Sequence, residues 1–210
     1  MKNAISTGLG ALVLALVSAT ANAAIIFQDL GTAAPPATLG GFTMTGFPDV
    51  GGEGASVTSV ATPTGGSIGF STPLVHFDVP GSWATWSHGY TGDTYADLTS
   101  PFDVTITLPG STAAFYFYAE PDAFSSVQFI ITSSGVSTIY DSINGYAGAE
   151  GFGFYGTAGS LLTSIRVRAE GALAIGEFGI ARATAVPEPA TLLLLGSGLL
   201  GLAFTRRRKH

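Results

Sequence analysis

Seven consecutive residues, Phe102-Asp103-Val104-Thr105-Ile106-Thr107-Leu108, alternate apolar and polar without a break and stop at Pro109-Gly110. A repeat of two is what a strand with one dry and one wet face requires. No stretch of the chain between its two ends carries the 3.6-residue repeat of an amphipathic helix. Val75, Phe77 and Val79 alternate likewise, which assigns His76 and Asp78 to the wetter face. Ala113 to Ala119 is apolar on both faces, as a central strand should be. Val127, Phe129 and Ile131 make one stripe, and Ile165, Val167 and Ala169 another. Arg166 and Arg168 then point outward beside Ser164 and Glu170. Turn signals at Pro63-Thr64-Gly65-Gly66, Ser133-Ser134-Gly135 and Asn144-Gly145 separate these runs. The pattern predicts an all-β fold, an antiparallel β-sandwich or jelly roll of roughly ten strands. Residues 31–66, rich in Gly, Thr and Pro, read as an ordered loop with short edge strands.

The chain has no cysteine, so disulfides, thiolate metal sites and cysteine catalysis are excluded and packing alone must hold the fold. Charge is unevenly divided. Between Ala24 and Pro189 only Arg166, Arg168 and Arg182 are basic against all fourteen acids, a net of −11. That balance disfavours nucleic acid and anionic lipid, whose phosphates need basic clusters, and is compatible with neutral glycans.

Both ends read as addresses. Lys2 and the free amine precede a mostly apolar run from Ala4 to Ala19, and Ala21-Asn22-Ala23 is a small-residue cleavage site. This is a secretory signal peptide over residues 1–23, with Ala24 as the mature first residue and signal peptidase as the partner. The other end reads Val186-Pro187-Glu188-Pro189, then an uncharged run from Ala190 to Phe204, then Arg206, Arg207, Arg208 and Lys209. The prolines enforce an extended approach. The cations form a stop signal that stays on the cytoplasmic side. At about 1.5 Å per residue the apolar run covers roughly 22 Å of a roughly 30 Å hydrocarbon core. It is a short transmembrane helix that serves as a handle rather than a permanent anchor. Three parts follow: signal peptide 1–23, β-sandwich ectodomain 24–185, and sorting segment 186–210.

The order Pro-Glu-Pro, apolar run, basic cluster closely resembles the PEP-CTERM sorting signal of Gram-negative, matrix-producing bacteria. The resemblance covers Val186 to Lys209, and implies recognition by an exosortase-type membrane protease, cutting at or near the motif, and export across the inner membrane to the cell surface or matrix. The segments around His88–Asp93, Ala113–Pro121, Gly151–Gly156 and Glu177–Ala181 also resemble one recurring body type among PEP-CTERM proteins, typically exported β-sandwiches without an assigned catalytic residue. The sorting system further implies association with exopolysaccharide, in floc or biofilm.

Two short matches carry no chemistry. Gly65-Gly66-Ser67-Ile68-Gly69 fits the nucleophile elbow, but no helix follows it. Gly151-Phe152-Gly153-Phe154-Tyr155-Gly156 fits the dinucleotide fingerprint, but it too lacks the helix and has Phe where backbone must approach phosphate. With two histidines in the body, a His-rich zinc site is not expected.

The stretch that stands out is Ser82 to Asp97. It holds both tryptophans, Trp83 and Trp86, with His88, Tyr90, Asp93, Tyr95 and Asp97. Three residues apart on a strand, the two Trp would face opposite sides, so at most one enters the core. The other, beside Tyr90 or Tyr95, would suit stacking on a sugar ring while Asp93, Asp97 or His88 bind hydroxyls. The structural alternative is that Trp86 plugs the sandwich and residues 88–93 form a hairpin. Asp93 and Asp97 could serve as calcium ligands if loop carbonyls completed the shell; no other cofactor is expected. Glu177 breaks the phase of Leu173 to Ile180. Either a bulge at Gly176 re-phases the strand so that Phe178 and Ile180 turn inward, or Glu177 is a partly buried carboxylate that must be paired.

Function is expected to be non-enzymatic: a structural or adhesive matrix component that binds polysaccharide weakly. The alternatives are a glycoside-acting hydrolase or lyase on a jelly-roll scaffold, whose paired carboxylates would share a cleft, and a purely structural body that self-associates through edge strands.

Overall fold

The computed structural model describes residues 22–122, 126–133, 136 and 138–183. The apolar leader and the sorting segment, on which the signal-peptide and membrane-helix expectations fall, lie outside the described residues. The described chain is all strand and turn, without a helix. In order it forms β1 (Ala24–Gly31), β2 (Thr38–Leu39), β3 (Phe42–Thr43), β4 (Thr45–Gly46), β5 (Ser56–Ala61), β6 (Ser67–Val79) and β7 (Gly92–Asp97). Then come β8 (Phe102–Thr107), β9 (Thr112–Pro121), β10 (Ser126–Ser133), β11 (Ile139–Asn144), β12 (Glu150–Thr157), β13 (Ser164–Ala169) and β14 (Leu173–Arg182). The excess over the ten expected includes three two-residue pairings, β2 to β4, in the Gly- and Pro-rich segment after residue 31.

Ten strands run β1-β12-β9-β14-β7-β6-β8-β13-β10-β11 in one antiparallel sheet, with β4 added to β14 and β5 to β6; β2 and β3 form a separate hairpin. The two halves of this sheet are therefore joined through β7 and β6. They fold over each other: Phe129 on β10 meets Phe152 on β12, at opposite ends of the strand order, with ring centroids 5.0 Å apart. Sandwich packing here comes from one curled sheet.

The interior is aromatic. Phe115, Phe117, Phe129, Phe152 and Phe154 are fully buried in one cluster with Ile106, Ile131, Val167 and Ile175. Each such side chain contributes roughly 1.5–3 kcal/mol by leaving water. Every residue of β9 is buried. Phe115 and Phe117 face the main core, while Tyr116 and Tyr118 face a second cluster with Leu39, Ala149 and Ala181, against which Phe42, Met44 and Trp86 pack. The irregular segment after β1 and the Trp-rich loop thus roof the outer side of the central strand.

At residues 75 and 76 the phase is inverted relative to the sequence reading, whereas Val79 is buried and Asp78 partly exposed, as that reading has them. His76, expected on the wetter face, is 2% exposed, whereas Val75 is exposed. Ile68, Phe70 and Leu74, all buried, set the phase of the long β6, and His76 continues it. Reading residues 75–79 alone hides that phase.

Candidate functional site

Residues 80–91 form the loop between β6 and β7 rather than a strand, so the alternation expected of Trp83 and Trp86 does not apply. Both indoles turn toward the sheet because each N–H finds a carboxylate there. Trp83, 6% exposed, donates to Glu120 Oε2 on β9 at 2.9 Å, and Thr85 Oγ1 donates to Glu120 Oε1 at 2.7 Å. Trp86, half-buried, donates to Glu177 Oε2 on β14 at 2.9 Å, and His88 Nε2 lies 2.7 Å from Glu177 Oε1. Two carboxylates from neighbouring strands thus fasten one loop. Of the tryptophans it is Trp83, with Val79, Ala96 and Ala174, that fills an interior cluster.

The anomaly at Glu177 is both things that its sequence allowed. The β14–β9 register shifts between Gly176 and Gly179, and Phe178 and Ile180 are buried, so the strand is re-phased by a bulge. Glu177 itself takes a φ of 47°, in the left-handed region, which aims a side chain only 9% exposed at Trp86 and His88. His88 also has positive φ, 43°. Two non-glycine residues in this sparsely populated region meet in one ion pair, each held by the contacts around it. The second ring nitrogen of His88, Nδ1, faces the Thr32 carbonyl oxygen at 3.2 Å. A carbonyl can only accept, so Nδ1 carries a proton. Burial pushes the Glu177 carboxyl above its ordinary range, against the pull of His88 and Trp86. Burial likewise raises Glu120, opposed by the Thr85 and Trp83 hydrogen bonds.

A second polar cluster surrounds His76. Its Nε2 lies 2.8 Å from Asp93 Oδ1 and 3.4 Å from Asp78 Oδ1. The Val50 N–H donates to Asp93 Oδ2 at 2.9 Å, and the Tyr95 hydroxyl approaches the same oxygen at 3.4 Å. Burial raises the Asp93 carboxyl, opposed by Val50 and His76. Tyr95, 2% exposed, stacks between His76 and Phe178, with centroids 5.1 and 5.9 Å away; burial raises its phenol, as it does that of Tyr90. Tyr116, under the other cluster, is pushed up to about 12 by burial and by Glu177. Donor atoms of His76, Asp78 and Asp93 lie within 4.8 Å of one another, a spacing that could hold a cation. Asp97 is not among them. It lies four residues along β7 from Asp93, roughly 13 Å at strand rise, and its Oδ1 accepts from the Thr99 N–H and hydroxyl. Asp93 and Asp97 therefore do not make a common calcium site.

The expected stretch does converge, although not into an open platform. Trp83 and Tyr95 belong to the interior and cannot stack on a sugar in this fold. Trp86 and Tyr90 are half-buried, with rings tilted by 42° at 5.9 Å. Tyr90, Asp93, Tyr95 and Glu177 line one narrow cleft with Phe47 and Phe178. In that cleft both oxygens of each carboxylate are already engaged, Asp93 by His76, Val50 and Tyr95 and Glu177 by His88 and Trp86. Sequence alone gives Glu120 no role and His76 only a place on the wetter face. The available signal for Glu120 was a lone acid ending the apolar run Ala113–Ala119, which must be paired if buried.

No curated protein matches the chain. Among solved structures, TmCBM61 in complex with beta-1,4-galactotriose is similar at 11% identity and a TM-score of 0.28, over 55% of this chain and 87% of that one. A superposition so loose carries nothing about fold or ligand. The family comparison is specific but local: the PEP-CTERM protein-sorting motif matches residues 185–209. That span contains the Pro187-Glu188-Pro189 motif, the apolar run and all four cations. By this motif the chain is an exported protein, transiently anchored at the membrane, processed by an exosortase and sorted to the cell surface.

Proposed function

We propose that the β-rich body is the non-enzymatic cargo of this sorting signal, a cell-surface or matrix component that binds exopolysaccharide weakly and needs no cofactor. The observation that carries the reading is the sorting motif at residues 185–209, which delivers the body to the place where secreted polysaccharide accumulates. The body suits that setting. It is acidic without a basic cluster, is packed around aromatics without disulfides, and begins its first strand at Ala24, the residue after the expected signal cleavage site. The engaged carboxylates of the cleft favour a scaffold over a glycoside hydrolase. Asp93 and Glu177 hold the fold together through both of their oxygens, whereas a general acid or nucleophile needs an oxygen free to reach substrate.

The test uses the full chain expressed in its producer. Mass spectrometry of the exported form should find Ala24 as its first residue and a last residue at or near Pro189. The protein should co-fractionate with the matrix and be retained by purified exopolysaccharide. Neutral replacement of Arg206, Arg207, Arg208 and Lys209 should impair its retention and sorting; a variant cut and exported normally would contradict the stop-signal role of the cluster. An exported form that ignores the polysaccharide, or that releases new reducing ends from it, would overturn the binding-scaffold reading.

A further inference from the structure

We propose that the outward face of β8, β13, β10 and β11 is a binding surface for a neutral polysaccharide, centred on Tyr140 and Arg168. The inference rests on the polysaccharide-binding reading above and moves the site away from Ser82–Asp97.

Strand register builds the surface. Phe102, Val104, Ile106, Phe129, Ile131, Ile165 and Val167 point into the core, so their sequence neighbours point out. Tyr140 pairs with Ile130, Ile130 with Arg168, and Arg168 with Asp103. These four side chains therefore form one row across four strands, neighbours about 5 Å apart. The row spans roughly 14 Å, room for two or three sugar rings. Tyr140, at one end, is 75% exposed. Beside the row runs a groove lined by Pro101, Gln128, Ile130, Arg168 and Glu170.

The chemistry is that of sugar recognition. The Tyr140 ring, with Ile130 and Pro101, offers apolar surface to the C–H face of a pyranose. Gln128, Arg168 and Glu170 offer planar amide, guanidinium and carboxylate groups, each able to meet neighbouring hydroxyls with two atoms. Arg168 has capacity to spare. Arg166 takes Asp103 in a two-pronged pair at 2.8 and 2.6 Å, while Arg168 reaches it with Nε alone at 3.3 Å and stays half-exposed. The Arg166 pair also fixes Asp103, and with it the orientation of Arg168. Charge decides the ligand class. Arg166 and Arg168 are matched by Asp103 and Glu170, so this face is locally neutral in a strongly acidic body and gives a polyanion no net attraction.

The test measures retardation of the exported, processed protein in native gels containing the producer's exopolysaccharide, β-glucan, xylan or alginate. At least one neutral polymer should retard it, with little change between low and high salt. Tyr140→Ala and Arg168→Gln should each weaken that binding about tenfold. Tyr140→Phe, which keeps the ring, should restore it, and Trp86→Phe should leave it unchanged. Gln128→Ala provides an independent lesion should either of the first two variants lose its cooperative melt. Binding to a neutral polymer that survives Tyr140→Ala, Arg168→Gln and Gln128→Ala would overturn this surface while keeping the wider reading. Binding confined to alginate and abolished by salt would overturn the neutral ligand class. Absence of binding to every polymer would overturn both the surface and the polysaccharide reading.

Discussion

The loop between β6 and β7 and the outward face of β10 and β11 make opposite uses of aromatic residues. The loop carries both tryptophans, yet Trp83 and the following Tyr95 are buried, and the indole N–H groups end on Glu120 and Glu177. The outer face carries the single aromatic Tyr140, which stands three-quarters exposed over a row of polar side chains. The difference lies in partners rather than residue type. An indole that finds a carboxylate on a neighbouring strand is drawn in, because the hydrogen bond between them offsets part of what each loses by leaving water. A tyrosine at a sheet edge, opposite Ile130 and with solvent beyond, is left for something else to cover.

The strongest way to break this comparison is to remove a carboxylate under the loop. Glu120→Ala leaves the Trp83 N–H and the Thr85 hydroxyl without their acceptor and should cost about 3 kcal/mol in urea unfolding, with red-shifted Trp emission. An effect below about 1 kcal/mol would mean that the loop is held by apolar packing alone. Glu177→Ala should cost less, about 2 kcal/mol. Its side chain is nearer solvent, and alanine keeps most of the strain of a positive φ.

The pH dependence sharpens the same contrast with opposite signs. Burial raises Glu120 and Glu177 in the folded state. Their contribution is therefore fully present below the ordinary carboxylate range and is lost as pH rises through the raised values. The cost of Glu120→Gln should shrink between mildly acidic and neutral pH. Asp103 behaves the other way, because the Arg166 hydrogen bonds hold its carboxyl below the ordinary range. Its contribution is present above that range and fades as pH falls through the lowered value, so the cost of Asp103→Asn should vanish in acid. Urea titrations of the three proteins across pH 3–8 check both signs. The smallest effect is expected at the open face: Tyr140→Ala should change stability by no more than about 0.5 kcal/mol, since that side chain is three-quarters exposed.

Much of this division can be traced in sequence, but not all of it. The alternation of Phe102–Leu108 and Ile165–Ala169 places Arg166 and Arg168 outward, as found, and the doubly apolar Ala113–Ala119 is the fully buried β9. Gly176 marks the bulge that turns Phe178 and Ile180 inward. What local pattern does not carry is which strands become neighbours. Glu177 meets His88 across 89 residues and Trp86 across 91, pairings created only when β14 comes to lie beside β7 and β9. Tyr140 is inconspicuous in Ile139–Asn144 because its meaning depends on Ile130, Arg168 and Asp103 arriving beside it from three other strands. The burial of His76 is not legible locally, because a five-residue window cannot fix the phase of a thirteen-residue strand.

Hydrogen exchange of the exported protein, with and without the neutral polysaccharide that retards it, tests the central contrast most directly. Slowed exchange in residues 126–133, 139–144 and 164–170, with 82–97 unchanged, is the expected result. Protection concentrated in 82–97 would show that the Trp-bearing loop is the binding site after all, and that the open face is only surface.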